Sequence, residues 1–482
     1  MNIVNRSELF AKPEVKRAMA EIRHALKKAL PEASFGKREA MALAINDEAV
    51  RELLQRDLQA MADGLSEEVL VDGVAHRLHE PGTDTYHGLC GPLNVSRASY
   101  RQVGVRNGPT VVPLELAAGI VEGATPALAY NVAHGYAQHD MRLHEETLRA
   151  AHRLPPSRTT LERIAKRIGS AAVENALRIE TVLRPAEKVP EGTVAVVMGL
   201  DRTSVPMIED RPADAPPKPE PKRRRPLVRR APDPVDINWR MAYVGTVCCV
   251  DVYGETLSVV RYAAPACDDP RELVDKMTAD VRRVLKQSAE LKAGIIQDGA
   301  REMWDRTREG MQVLRAEGWL DRWYEGIDRY HLLERLADAL QLVQPDATER
   351  KRQLDEWRES FDVSNSTIDD IERFFIRQYV KLDAAGDRDK RDPLWDHLRF
   401  IGNHKKRMRY VTLRNAGLPV GSGVTESTAK TVIGQRAKGS GQRWREHGLR
   451  AVVTLRATHQ SDRLPRFWSK LSTRYTANIE AA

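Results

Sequence analysis

Two apolar runs that each end in an aspartate constrain most strongly what this chain can fold into. Residues 193–200 precede Asp201, and residues 293–297 precede Asp298. Runs of this length, rich in Val and Ile, are typical of buried strands. Further strand-like runs lie at 241–251, 256–263 and 323–327, with helical patterns at 271–290, 300–317 and 329–343. Three strands in succession, then alternating helices and strands, predict a mixed α/β sheet.

A third acidic residue, Glu426, follows the turn Gly421-Ser422-Gly423 and opens a helical segment. Two carboxylates at strand ends and one on a later helix can converge on one point. Mg²⁺ prefers oxygen ligands and usually takes one or two carboxylates. Two such ions about 4 Å apart can hold the attacking and leaving oxygens of a phosphoryl transfer. Each aspartate alone can equally be the first polar residue of a loop.

Basic residues concentrate around Glu426. The whole chain has 76 Lys and Arg against 68 Asp and Glu, a net charge of +8. Residues 405–456 alone hold twelve Lys or Arg and two acidic residues, a net charge of 12 − 2 = +10. This suits a polyanion whose phosphate must reach a metal; a solvated helical face is the alternative. The DNA-binding candidates here are Lys405, Lys406, Arg407, Arg409, Lys430, Arg436, Lys438, Arg443, Trp444 and Arg445. Trp444 could stack on an unpaired base or pack in the core.

The region before residue 190 is predicted to be mainly helical. Residues 1–75 have helical periodicity, and the following region, 76–185, begins with the composition of a short hairpin. Ser157 is a candidate cap for a helix whose apolar stripe follows it, and the turn before it makes a helix-turn-helix candidate. The residues that would face DNA are Arg158, Arg163 and Lys166. Any two short antiparallel helices have this pattern, so an ordinary helical pair is the alternative.

Two insertions interrupt the α/β pattern. Residues 211–234 contain eight Pro and eight Lys or Arg, which predicts an extended loop. The loop is either a basic arm on DNA or a solvated linker, and its DNA-binding candidates are Lys222, Arg223, Arg224 and Arg225. Residues 345–405 are charged and predicted to be helical.

The cysteines and the hydropathy pattern indicate a compartment. The four cysteines form no Cys-x-x-Cys pair, which disfavours a zinc ribbon and is typical of a reduced cytosol. No run reaches the roughly 20 apolar residues of a membrane span, and the first 30 residues lack the apolar core of a signal peptide. We therefore expect a soluble, cytoplasmic protein, which DNA binding by the basic stretch around Glu426 would associate with the nucleoid.

Several motifs resemble those of a known family. Residues 420–427 read Val-Gly-Ser-Gly-Val-Thr-Glu-Ser, and residues 438–444 read Lys-Gly-Ser-Gly-Gln-Arg-Trp. Together with Asp298-Gly299-Ala300, Trp304, the run 328–331 and the run 407–410, they resemble bacterial insertion-sequence DDE transposases of the ISKra type. The resemblance covers residues 190–470.

The resemblance implies a catalytic core like that of ribonuclease H and retroviral integrases, formed by residues 190–344 and 406–482 around the helical insertion. It implies that Asp201, Asp298 and Glu426 are a catalytic triad that holds two Mg²⁺ ions, for which Mn²⁺ can substitute. The implied partners are double-stranded DNA, as terminal inverted repeats and target, and further copies of the chain in a homodimer or larger homo-oligomer.

Two further acidic residues and one histidine are candidates for the site. Asp328 and His331 are auxiliary candidates: His331 could contact the scissile phosphate, or the pair could be a helix cap with a packed histidine. Asp251 also ends a strand, but it leads into what looks like a hairpin turn and ranks lower. The leading function is a DNA transposase that cleaves strands and transfers the 3′-hydroxyl. The alternatives are a structure-selective nuclease on the same fold and a domesticated, non-catalytic DNA-binding protein.

Overall fold

The computed structural model describes residues 11–29, 34–212, 214, 235–265, 269–288 and 290–482. The chain divides into two compact units. The first comprises Met1–Ile179 together with Asp462–Ala482, and the second comprises Glu180–Ser461. The basic candidates at 222–225 lie outside the described residues.

The first unit combines helices with an antiparallel sheet. Its helices are α1 (Pro13–Ala29), α2 (Phe35–Asp63), α3 (Pro113–Ala118), α4 (Pro126–Gln138), α5 (Met141–Ala150) and α6 (Arg158–Leu183), the last of which continues into the second unit. Its strands are β1 (Glu68–Val71), β2 (Val74–Gly88), β3 (Gly91–Gln102) and β4 (Thr110–Val111). The long hairpin of β2 and β3 agrees with the hairpin predicted after residue 76. Gln55 and Gln59 of α2 accept hydrogen bonds from the backbone of β3, so this helix covers part of an otherwise open strand edge.

The second unit contains the predicted mixed sheet. Its strands are β5 (Ala195–Asp210), β6 (Val235–Val250), β7 (Thr256–Ala264), β8 (Lys292–Gln297) and β9 (Tyr324–Ile327). They lie in the order β7-β6-β5-β8-β9. The first three are antiparallel, whereas β8 is parallel to both β5 and β9. The mixed α/β interpretation is therefore confirmed.

Helices cover this sheet and carry the later part of the chain. They are α7 (Arg271–Leu285), α8 (Arg301–Ala316), α9 (Arg329–Val343), α10 (Ala347–Val363), α11 (Thr367–Ala384), α12 (Arg388–His404), α13 (Tyr410–Asn415), α14 (Gly423–Thr428), α15 (Gln435–Ala437) and α16 (Glu446–Gln460). A π-helical segment, Ala429–Gly434, separates α14 from α15. Within the predicted helical insertion, α10, α11 and α12 bury Trp357, Phe361 and Phe375 in the same core as the sheet.

Several predicted boundaries are wrong. The strand β6 begins at Val235 rather than at 241, and β1 lies within the region 1–75 that the periodicity predicts to be helical. Residues 462–482 were assigned to the catalytic region, but α17 (Leu464–Leu471) and β10 (Ile479–Ala481) belong to the first unit, where β10 pairs with β1. Asp201 was expected to end its strand, but β5 continues to Asp210 because it stays paired with β6 from Ala195↔Val250 to Asp210↔Val235. Neither pairing leaves a local signal, because each partner is distant in sequence.

Candidate active site

The register of the parallel strands places three aspartates at one level. Met198 of β5 pairs with Ile295 of β8, so Asp201 and Asp298 each lie three residues beyond that pair (201 − 198 = 298 − 295 = 3). The last pair of β8 and β9 is Gln297↔Ile327, so Asp298 and Asp328 each follow it by one residue. The carboxyl ends of parallel strands are where open α/β sheets bind ligands.

Asp201 lies in mid-strand but has an open side. The described pairing of β5 with β8 ends at Met198, whereas the pairing with β6 continues past Asp201. Burial raises the pKa of the Asp201 carboxyl to about 6, against a hydrogen bond from the Arg202 N–H, and the nearby charges of Asp298 and Glu426 add to the rise. The Asp201 carboxyl is therefore close enough to Asp298 and Glu426 to be affected by the charges of both.

Asp298 is held in the turn between β8 and α8. Its Oδ1 accepts from the Ala300 N–H at 3.1 Å, and its backbone carbonyl accepts from Trp304 Nε1 at 2.7 Å. Among the described residues, none donates a hydrogen bond to its Oδ2. Gly299 next to it has no room for a side chain, because a Cβ there would lie 2.3 Å from the Phe400 ring of α12. The turn thus fixes the carboxyl while leaving one oxygen available.

Glu426 reaches the site because α14 packs closely on the sheet. A Cβ on Gly199 of β5 would lie 2.3 Å from Thr425 Oγ1, so only glycine allows this approach. Thr425 Oγ1 is also 2.7 Å from the hydroxyl of Thr246 on β6, and both residues are buried. The residue before Glu426 thus fixes the start of the helix against two strands.

Asp328 acts as an anchor for the same turn. It is fully buried and caps α9, with its Oδ1 accepting from the N–H groups of Tyr330 at 2.7 Å and His331 at 2.9 Å. Its Oδ2 accepts from the N–H and, at 2.8 Å, the hydroxyl of Ser422. Ser422 Oγ lies 3.2 Å from Glu426 Oε1. Because both oxygens of Asp328 already accept two bonds each, we assign it to positioning the Gly-Ser-Gly turn.

His331 completes the group. Its Nδ1 lies 3.8 Å from Asp328 Oδ1 and 3.8 Å from Glu426 Oε1. One ligand atom from each of these three residues lies within 4.8 Å of the others. The Nδ1 atom is buried, and no described residue forms a hydrogen bond with it. Buried nitrogens without a hydrogen-bond partner are uncommon, so a cation or water bound beside Glu426 would complete the contacts of this group. Asp201 and Asp298 are not members of this group.

A pocket of about 490 Å³ adjoins these residues. Asp298, His331 and Arg335 line it, together with Glu334 and Asp338 of α9 and His397 and Phe400 of α12. The Arg335 guanidinium lies over the Phe400 ring at 4.2 Å, and no acidic residue in the described chain forms an ion pair with it. The last helix of the insertion therefore supplies one wall of the site.

Asp251, the alternative candidate ligand, stabilises the turn in which it lies. Its Oδ1 accepts from the N–H groups of Tyr253 and Glu255, both at 2.9 Å. The hairpin interpretation for this residue is confirmed.

Several predicted DNA-binding cations already have acidic partners. Lys405 pairs with Asp369 at 2.7 Å and Glu372 at 2.6 Å. Arg407 pairs with Glu325 at 2.9 Å, and Arg409 lies 3.9 Å from Asp369. Lys406 is exposed and has no acidic partner among the described residues. The net charge of the sequence stretch therefore overstates the charge that is free to meet DNA.

The remaining candidates near Glu426 divide into exposed and packed residues. Lys430 and Arg443 are exposed, and Arg445 pairs with Asp210 at 3.1 Å. Lys438 donates to the hydroxyl of Thr203 on β5, two residues beyond Asp201. Arg436 is buried under Trp444, with its guanidinium 5.0 Å from the ring. Trp444 packs against a cluster of buried residues, in agreement with the core interpretation.

In the first unit, Ser157 caps α6 as predicted, with its hydroxyl accepting from the Thr160 N–H at 3.3 Å. The apolar stripe of this helix is fully buried, as predicted, and its members are Leu161, Ile164, Ala165 and Ile168. Of the cations, Arg163 pairs with Glu122 at 2.7 Å, Arg158 lies 3.5 Å from Glu162, and Lys166 is exposed.

Sequence reasoning missed the residues that position the triad. The sequence pattern identifies Ser422 only as part of a turn. A hydroxyl between two glycines, close to the candidate ligand Glu426, is nevertheless a pattern that indicates a positioning residue. Gly199 lies inside a buried apolar run, and no sequence signal showed that a helix would cross there.

Comparison with known proteins gives little further information. No family model and no curated protein matches the chain. Among solved structures, the chain is similar to the Drosophila P element transposase strand transfer complex, with 13% identity over 73% of this chain and 83% of that chain and a TM-score of 0.23. A likeness this weak carries no weight for function. Within the described residues, no helix is long and apolar enough to cross a membrane.

Proposed function

We propose that this chain is a DDE-type DNA transposase with a ribonuclease H-like catalytic core. The observation that supports the proposal most is that Asp201 and Asp298 lie at one level of the parallel strands, and that the charges of Asp298 and Glu426 both act on the Asp201 carboxyl. The buried Nδ1 of His331, which has no hydrogen-bond partner among the described residues, lies 3.8 Å from Glu426 Oε1. Burial first, and then the charges of Asp298 and Glu426, raise the pKa of Asp201, as expected of a carboxylate that would share bound cations with its neighbours.

The donor set fits Mg²⁺ better than softer metals. All three proposed ligands are carboxylates, and the described part of the chain brings no cysteine to them. When bound, two Mg²⁺ ions would activate the attacking water or 3′-hydroxyl and stabilise the leaving oxygen. Mn²⁺, which takes the same ligands, can substitute.

The residues of the chain supply positioning and electrostatics. The hydrogen bond from the Ala300 N–H to Asp298 Oδ1 leaves Oδ2 available to a ligand. The buried Asp328 holds Ser422, whose Oγ lies beside Glu426 Oε1 and orients it. Arg335 places an unpaired positive charge in the pocket beside Asp298, where it can contact a phosphate of the strand. Catalysis by such a site needs no covalent protein intermediate.

The proposed substrate is double-stranded DNA: the ends of the element and then the target. Two ends must be joined in one reaction, so we propose that a homodimer or larger homo-oligomer acts on DNA. The exposed cations Lys430, Arg443 and Lys406 are the best-placed candidates for backbone contacts in the second unit. Lys166 is the corresponding candidate on α6.

The test is a reaction of the purified full chain with a plasmid that carries the DNA flanking its gene. With Mg²⁺, we expect strand breaks at two inverted repeats and joined products. Asp201→Asn, Asp298→Asn and Glu426→Gln should each reduce cleavage to background while DNA binding remains. Asp251→Asn is the matched control, because Asp251 serves only its own turn, and it should keep activity.

The alternatives give different results in the same experiment. Cleavage without joining would identify a nuclease, and binding without cleavage would identify a non-catalytic DNA-binding protein. Either result contradicts the proposal.

A further inference from the structure

A second cleft, distinct from the active site, is lined mainly by cations. It encloses about 680 Å³ between α8, β9 and the end of α12. Five positive side chains line it, namely Arg308, Arg315, Arg322, Lys406 and Arg407. Two acidic residues, Asp321 and Glu325, also line it, so its net charge is 5 − 2 = +3.

The cations of the cleft fall into two groups. The inner ones, Arg308 and Arg407, both pair with Glu325, at 2.5 Å and 2.9 Å. Both residues are partly buried. The outer ones, Arg315, Arg322 and Lys406, are exposed, and no acidic residue in the described chain pairs with them. With the exposed Asp321 beside these three cations, the rim of the cleft has a charge of 3 − 1 = +2, which attracts an anion.

The floor of the cleft is connected to the active site. The Arg407 guanidinium lies 4.3 Å from the Trp304 ring and that of Arg308 lies 5.9 Å from it. Trp304 in turn donates its Nε1–H to the carbonyl oxygen of Asp298 at 2.7 Å. Glu325 is three residues before Asp328 on one strand, which corresponds to about 10 Å.

We propose that this cleft binds the phosphate backbone of a nucleic acid strand, at a site separate from the reacting phosphate. The proposal rests on the proposed function for the identity of the polymer as DNA. A site for a small anion would place its free donors at the bottom, whereas here the unpaired cations are on the exposed rim and both inner arginines already pair with Glu325. Rim charges suit a polymer that passes along the surface and exchanges counterions with the protein.

The test measures affinity of the full chain for a labelled DNA duplex over a salt series in EDTA, so that catalysis plays no part. Substitution of Arg315→Gln, Arg322→Gln and Lys406→Gln together should weaken binding and make the slope of log K against log salt shallower by roughly 2 to 3, at about 0.9 per lost contact. The matched control replaces two Arg and one Lys, also exposed and without acidic partners among the described residues: Arg377→Gln, Arg388→Gln and Lys351→Gln. It should leave the slope close to that of the wild type.

Other outcomes overturn the proposal. An unchanged slope in the first triple variant, with an unchanged melting temperature, shows that no backbone contact is made there. If inorganic pyrophosphate binds the wild type, and the triple variant loses that binding while keeping its DNA slope, the cleft is a site for a small polyphosphate instead. These binding measurements in EDTA do not depend on cleavage. A wild-type protein that binds DNA through the cleft in EDTA but does not cut DNA in the Mg²⁺ reaction therefore contradicts the proposed function alone.

Discussion

At the scale of single residues, the ionised Asp201 carboxylate lowers the stability of the folded protein. Its pKa is raised to about 6 from 3.8, first by burial and then by Asp298 and Glu426. In the folded state the proton is therefore held more tightly than in the unfolded state. The stabilising contribution of the protonated Asp201 is lost as pH rises from about 4 through 6, and it is absent above that range. A rise of this size corresponds to about 3 kcal/mol.

Asp201→Asn should therefore stabilise the protein without metal. At pH 8 in EDTA, we expect the free energy of unfolding to increase by about 2 to 3 kcal/mol relative to wild type, with the difference disappearing near pH 4. Mg²⁺ should then raise the melting temperature of the wild type but not of the variant. Urea unfolding at several pH values measures the first effect. A variant that is less stable than wild type at pH 8 would show that burial and the neighbouring carboxylates do not disfavour the ionised form of Asp201.

Ser422 gives a second residue-scale prediction. Its hydroxyl joins the buried Asp328 to Glu426, so Ser422→Ala should leave Glu426 less well oriented. Partners of this kind typically change metal affinity or activity by 10- to 100-fold. We expect a cleavage rate reduced by about that factor with unchanged DNA affinity, and partial recovery at high Mg²⁺. Ser427→Ala on the same helix, where the side chain is exposed, is the control and should retain full activity.

At the scale of elements, the site depends on how closely α14 approaches β5. Gly199→Ala would place a methyl group 2.3 Å from Thr425 Oγ1, and such overpacking typically costs about 1 to 3 kcal/mol. We expect lower stability and a greater loss of cleavage, because Glu426 moves with its helix. Adding Thr425→Ala should restore part of the activity by removing the clashing oxygen.

The control for this prediction is Gly423→Ala on the same helix, where a Cβ would meet nothing within 4 Å. Equal activity of Gly199→Ala and wild type would show that the position of α14 does not depend on this contact.

The elements themselves could be predicted from sequence better than their ends. Apolar runs predicted the starts of β7, β8 and β9 within a residue. Of the three, β8 is buried on both faces, which leaves a continuous hydrophobic signal. The second half of β5 has a mixed composition and is held by pairing with β6, which no local pattern shows. The same limit applies to the site: its carboxylates follow apolar runs and could be found, whereas Gly199 and Ser422 matter only through residues distant in sequence.

At the scale of the whole molecule, the charges of the sequence are redistributed by folding. Lys405, Arg407 and Arg409 look free in the sequence, but acidic residues of α11 and β9 pair with them. Arg315 and Arg322, which no sequence pattern singles out, have no such partners in the described chain. A count of basic residues therefore indicates a polyanion as partner without showing which surface meets it.

The measurement that tests the central claim most directly is anomalous diffraction from crystals of the full chain bound to DNA with Mn²⁺. We predict two peaks about 4 Å apart, each about 2.1 Å from its carboxylate oxygens, with Asp201 contacting at least one ion and Asp298 and Glu426 completing the ligand set. Peaks confined to Asp328, His331 and Glu426, or no peak beside Asp201, would contradict the assignment of the triad.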